Sequence, residues 1–342
     1  MVMRAARAAR HRWVATVMAG AGCLLGAVPA TAVQTTEVHC PADDLQQKIN
    51  DAAPGSTLQV SGTCVGNFII NKNLNLIGVR NAVLDGGGTG APVTVDYGGF
   101  HVQLTTLTIT NGIGNGTNGG GISNLGGTLT VIRSTVRNNS VSNNGGGINN
   151  DNGGTLTLDH TTVRDNSAGN AAGGIISNGT LKLMSSTVSG NSASFVGGIY
   201  NYGGTLTLNS STVSNNTATA SDTGGIFNYT GSTLTLNSST VSNNTATTDG
   251  GGIYNIGTAT LDRSTVRGNT AGNTGGGIRN DGSGSMSLTR STVVRNTANG
   301  GPNSGGGIFN TTGSTVSLDG SRVRFNVPDN CAPEGTITGC TG

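Results

Sequence analysis

A repeat kept in phase over most of the chain constrains this sequence more than any other feature. After residue 118, almost every segment is a variant of residues 197–218, GGIYNYGGTLTLNSSTVSNNTA. An isoleucine following paired glycines recurs at Ile122, Ile148, Ile176, Ile199, Ile226, Ile253, Ile278 and Ile308, in steps of 23–30 residues. The valine of S-T-V keeps pace with it at Val136, Val163, Val188, Val213, Val241, Val266, Val293 and Val323. Two anchors held in phase over eight copies define a repeat architecture.

Each copy carries three short apolar pieces: the Ile with its neighbour (Tyr200, Phe227, Tyr254), the T-L-T-L stretch, and S-T-V. Alternation of period two marks half-buried strands, and no window sustains a helical period. Gly and Asn punctuate the pieces because they tolerate the backbone of tight corners. One copy therefore predicts one coil, and stacked coils predict parallel sheets with Leu206/Leu208 and their equivalents in two inward columns. No coil buries its apolar face alone. Asn139, Asn166, Asn191, Asn216, Asn244, Asn269, Asn296 and Asn326 follow the valine by three residues; a second set, including Asn124, Asn150, Asn178 and Asn201, follows the isoleucine by two. Both columns keep the period of the fold, which predicts ladders of stacked amides at the corners. N-x-S/T matches such as Asn215-Asn216-Thr217 carry the competing reading of glycosylation.

Residues 1–32 read as a secretory signal: Arg4, Arg7, Arg10 and Arg12, an apolar run over 13–28, and Ala30-Thr31-Ala32 as the cleavage motif. Its apolar run is too short for a membrane span. Removing it leaves 14 basic against 16 acidic residues, so the positive charge belongs to the leader and supports no nucleic-acid partner. Of the remaining cysteines, even number and placement at the two ends suggest the pairs Cys40–Cys64 and Cys331–Cys340. Residues 41–53 form the one helical candidate. Asp43-Asp44 would cap it, Leu45 and Ile49 share a face, and Pro54-Gly55 would stop it. Placed at the end of a stack, it would cover open strand edges. The expected organisation is a signal at 1–32, an N-terminal cap with helix at 33–64, the repeat body at 65–326, and a closing loop at 327–342.

The N-terminal pattern Asp44-Leu45-Gln46, Ala53-Pro54-Gly55, Gly66-Asn67-Phe68-Ile69-Ile70-Asn71-Lys72 and Leu84-Asp85-Gly86 resembles that of pectin-lyase-like proteins. The G-G-G-I-x-N and S-T-V-x-x-N-x-A repeats resemble those of secreted bacterial β-helix proteins. They are distantly similar to the GGAI and FxxN repeats of chlamydial polymorphic outer-membrane proteins. The resemblance spans residues 38–342. It implies an all-β fold: a single-stranded right-handed parallel β-helix of about ten coils with a short N-terminal capping helix. Two departures bear on function. Valine replaces the Phe of FxxN and no C-terminal membrane barrel follows, which argues against an autotransporter adhesin. The polygalacturonase-like motifs N-T-D, G-H-G and R-I-K are absent.

Chemistry-bearing residues are sparse. Glycosidases need two facing carboxylates, yet the only glutamates are Glu37 and Glu334, near the ends, and the aspartates sit at different places in the repeat. Asp159, Arg164 and Asp165, with His160, come nearest to a catalytic cluster, with Arg164 as a lyase base; with Arg133 and Arg137 of the preceding coil they also read as surface ion pairs. Lyases of the resembled fold often bind Ca²⁺, but the G-G-x-G-x-D calcium repeat is missing; no cofactor is expected, and Ca²⁺ stays as an alternative that no motif supports. One outward feature repeats: Thr128/Thr130, Thr155/Thr157, Thr205/Thr207, Thr233/Thr235 and Thr258/Thr260. This array is either plain β-propensity or a binding surface for carbohydrate or ice. The expected protein is secreted and non-catalytic, with an extracellular polysaccharide or cell-surface component as partner and no membrane span once the signal is removed. The alternatives are a polysaccharide lyase or hydrolase, and an ice-binding protein.

Overall fold

The computed structural model describes residues 35–114 and 119–340. The expected signal segment lies outside the described residues.

The chain winds into a parallel β-helix whose coils contribute strands to four sheets, named here by their inward residues. The Leu sheet has 12 strands, from Thr35–His39 to Thr315–Asp319. The Val sheet has 11, from Thr63–Val65 to Arg322–Arg324, and the Ile sheet has 11, from Phe68–Ile70 to Cys331–Ala332. The fourth, an eight-stranded Ala sheet from Ile113–Gly114 to Thr297–Ala298, is not legible as a strand in the repeat. Its strands are two residues long, too short for alternation to show.

Register aligns like with like: Leu206 lies opposite Leu234, Val213 opposite Val241 and Ile199 opposite Ile226. These side chains have no exposed surface, and each such burial contributes roughly 1.5–3 kcal/mol. The glycine pair ahead of each isoleucine exists because coils touch there. A Cβ on Gly198 would sit 2.3 Å from the Gly225 carbonyl oxygen.

One anchor needs correcting. Ile148 pairs with Ile175, not Ile176, and Ile175 is the buried residue. Ile176 faces outward beside Asn149, and Ser177, not Asn178, takes the ladder position opposite Asn150. The G-G-I-I sequence offers two isoleucines, and a one-residue slip exchanges the faces of a strand. The residue directly after the glycines is the one that enters the core.

Both amide ladders form. Asn139, Asn166, Asn191, Asn216, Asn244, Asn269, Asn296 and Asn326 are buried, and each Nδ2 of the first seven donates to the next Oδ1 at 2.9–3.0 Å. The second ladder links Asn201, Asn228, Asn255, Asn280 and Asn310 at 2.7–2.9 Å. A third column was not anticipated: buried hydroxyls of Thr161, Ser186, Ser211, Ser239, Ser264 and Ser291 accept backbone N–H groups from the preceding coil. Asn215, the acceptor of the N-x-T match, is a separate exposed residue with φ 55°, while its neighbour Asn216 forms the ladder.

At the N-terminal end, the helix Leu45–Asp51 is capped by Asp44, whose carboxylate accepts from the Gln47 N–H, and it buries Leu45 and Ile49. Disulfides join Cys40 to Cys64 and Cys331 to Cys340. The far end is covered in part. Cys331–Ala332 extends the Ile sheet and Ile337 packs on the core, but Thr315–Asp319 and Arg322–Arg324 end their sheets with one edge unpaired.

Candidate functional site

The middle residue of each Ile-sheet strand points outward, and these residues stack in register. From coil to coil the column reads Ile69, Thr94, Ser123, Asn149, Ile176, Tyr200, Phe227, Tyr254, Arg279, Phe309. Its first half, from Ile69 to Ile176, carries no aromatic ring and has three small or polar residues between two isoleucines; its second half is aromatic apart from Arg279.

The first half forms the floor of a groove. The loops that enter the Ile strands supply one wall, with Asn143, Asn144 and Asn170; the residues that leave them supply the other, with Leu125, Asp151, Asn178 and Tyr202. The groove has three connected parts. The first, about 460 Å³, runs from Asn67 and Tyr97 to Asn149 and Asp151. The second, about 200 Å³, shares Asn149 and Asp151 with it. The third, about 340 Å³, reaches Phe195, Tyr200 and Tyr202. Asp151 is held by Asn178 Nδ2 and by the Asn152 N–H at 2.8 Å.

The aromatic half closes the groove as a wall. Tyr200 and Phe227 stack with centroids 5.2 Å apart and planes 15° apart. Phe195 packs edge-on against both, at 5.8 and 5.3 Å. Tyr202 and Tyr229 sit 5.1 Å apart on the solvent side and are 50% and 37% exposed. Beyond them, Arg279 lies between Tyr254 and Phe309, 5.3 Å from each centroid, and pairs with Asp249 at 2.9 Å and Asp281 at 2.7 Å. Seven of the chain's 12 aromatic residues belong to this wall. Such a concentration in a chain poor in aromatic residues marks one face as different from the rest.

Burial raises the Tyr200 hydroxyl well above the ordinary tyrosine range, helped by Tyr229 and Tyr202. Burial likewise lifts Tyr254 to about 12. These phenols therefore stay protonated and can donate. Asp281 behaves oppositely: burial alone would raise it, but hydrogen bonds from Arg279, Thr311 and Tyr254 prevail and hold it at about 2.

The structure places the residues suggested by sequence elsewhere. Asp159 pairs with His160 at 2.6 Å before the strand Thr162–Arg164, while Arg164 pairs with Asp165 after it. The cluster is thus two separate contacts between sequence neighbours, a hydrogen bond between Asp159 and His160 and an ion pair between Arg164 and Asp165. Arg137 lies in register with Arg164 rather than paired to either aspartate. Both pairs are well exposed, where such contacts contribute little. Thr128, Thr155, Thr205, Thr233 and Thr258 form one in-register outward column of the Leu sheet; Thr130, Thr157, Thr207, Thr235 and Thr260 form the next, with Lys182 inserted between Thr157 and Thr207. This face is separate from the groove. His39 is hydrogen-bonded to Ser61 Oγ at 2.9 Å and lies 3.2 Å from Glu37. It is a histidine whose two ring nitrogens are both satisfied at an exposed edge. Among the described residues no group of three or more His, Cys, Asp or Glu is placed to hold a metal ion. No described helix is long and apolar enough to cross a membrane.

The aromatic wall was missed from sequence. Its signal was present as the bulky residue between Ile and Asn (Tyr200, Phe227, Tyr254) with Tyr202 and Tyr229 two residues on, but it read as strand propensity.

No family model matches the chain, and no curated protein matches it. Its fold is similar to that of a solved structure, the crystal structure of pectate lyase Pel9A, with a TM-score of 0.54 and 12% identity over 85% of this chain and 78% of that one. The likeness establishes the parallel β-helix of the pectate lyase fold.

Proposed function

We propose that this is a secreted, non-catalytic β-helix protein that binds polysaccharide in the groove along its Ile sheet. The observation that carries the reading is the continuous groove lined by asparagine amides and ending at exposed Tyr202 and Tyr229. Amides and phenols exchange hydrogen bonds with sugar hydroxyls, and aromatic rings cover the apolar C–H faces of pyranoses. The arginine-rich leader and the two disulfides support an extracellular setting.

The test is a glycan-array screen of the mature chain, run beside assays for reducing ends and unsaturated products. Binding without product supports the reading. The double variant Tyr202→Ala/Tyr229→Ala should weaken binding by roughly tenfold or more, while Thr207→Lys on the Leu-sheet face should leave it unchanged. Product release would make the protein an enzyme and overturn the non-catalytic assignment. Loss of binding in Thr207→Lys with none in the tyrosine variant would move the site to the threonine face.

A further inference from the structure

Resting on the reading just given, we propose that the groove selects an extended, uncharged polysaccharide and rejects uronate polymers.

Charge is the first argument. Among the described residues neither lysine nor arginine lines any of the three parts of the groove, and Asp151 is the one acidic side chain that does. A polyuronate brings one negative charge per sugar. Bound here it would lose water without gaining a cation, and it would lie against a like charge. Arg279, in the column beyond the groove, offers no help. It is 17% exposed, sandwiched between two rings and paired with two aspartates.

Hydrogen-bonding capacity is the second. A carboxylate only accepts, so a uronate site is built from donors. The amides of Asn143 and Asn170 each carry both donors and an acceptor at the groove wall. That mixture matches hydroxyl groups, which also do both.

Shape is the third. The floor from Ile69 to Tyr200 crosses six coils in register. At about 4.8 Å per coil it is a straight track of roughly 24 Å. Each coil advances by about the length of one pyranose in an extended chain, so the track suits a run of several sugars in an extended β-linked glycan. A tightly wound polymer would leave the floor after one turn.

The experiment compares soluble mixed-linkage β-glucan and xyloglucan with polygalacturonate and alginate. It measures binding of the mature chain at low and high salt, with calcium and with chelator. The expected result is neutral-polymer binding that is insensitive to salt and to calcium, and at least about tenfold tighter than for either polyuronate. Affinity for neutral oligosaccharides should rise with length and level off once the track is filled. Asn143→Lys, at a half-buried groove position, should improve polygalacturonate binding by roughly tenfold at low salt and lose that gain at high salt. Equal or tighter binding of polygalacturonate by the wild-type chain, with or without calcium, would overturn the selectivity and leave the binding function standing. An Asn143→Lys variant with no gain would overturn charge as its cause. Failure of every polymer to bind would overturn both this proposal and the function it rests on.

Discussion

Ser177 is the one position where the second amide ladder breaks. Asn150 donates to its hydroxyl at 2.9 Å, but the serine is too short to reach onward, and the buried Asn201 Oδ1 is left without a partner. Ser177→Asn should mend the column, because an amide there can accept from Asn150 and donate to Asn201 as neighbouring coils do. The expected gain is about 1 kcal/mol in denaturant unfolding; a loss of stability would show that this coil is too tight for the amide. Asp281 gives a second residue-scale prediction. Its pKa is depressed from 3.8 to about 2, so its contribution is present above about pH 4 and disappears as pH falls through 2. After allowance for solvent screening the contribution is about 1–2 kcal/mol. Unfolding free energy measured between pH 5 and about 2 should fall more steeply for the wild type than for Asp281→Asn. Parallel curves would show that the pairing with Arg279 is energetically idle.

Strands in this fold are short, so each element depends on what closes its corners. The first amide ladder does most of this. Asn216 Oδ1 accepts from both the backbone and the side chain of Asn191, and its Nδ2 donates to Asn244 and to the Val188 carbonyl. Asn216→Ala would strand several buried polar groups at once, each costing about 1–3 kcal/mol. A total loss above about 3 kcal/mol is therefore expected. Asn215→Gly, one residue earlier, should change stability by less than about 1 kcal/mol, because the corner has φ 55° there and glycine already serves at Gly190 and Gly268. Equal effects of the two substitutions, read by equilibrium unfolding, would mean that the ladder is no more than a corner preference. The Ile sheet shows a different division of labour within one element. Ile199 and Asn201 face inward and hold coils together, while Tyr200 between them is free to build the outer wall.

At the scale of the molecule, a stack of similar coils has a core that any copy could extend, and its ends need protection. The helix Leu45–Asp51 provides it at one end. At the other, the edge strands Thr315–Asp319 and Arg322–Arg324 carry exposed Asp319, Arg322 and Arg324, charges that discourage edge-to-edge pairing. Arg322→Val with Arg324→Val should make the chain associate, seen by light scattering as a rise in apparent mass; a monodisperse variant would assign the protection to the Cys331–Cys340 loop. The amino-acid sequence by itself determined the parallel β-helix, the strand faces and amide ladders of every repeat except the one at Ile175–Ser177, and the pairing of the four cysteines. Each of these except the cysteine pairing follows from one local pattern meeting its own copy in the next coil. The cysteines were legible because they flank the repeats. What only the tertiary structure decided is which outward column becomes a site. Ile176 and Tyr202 share a groove because residues about one coil apart become neighbours once register is set. One wall comes from loops that vary in length between copies and leave no periodic trace; the other, with Asp151, Asn178 and Tyr202, keeps the period one residue after the ladder position but varies in chemistry from copy to copy. The same one-residue choice between Ile175 and Ile176 that was ambiguous in the sequence is resolved by the core, which has room for one side chain per coil at that point.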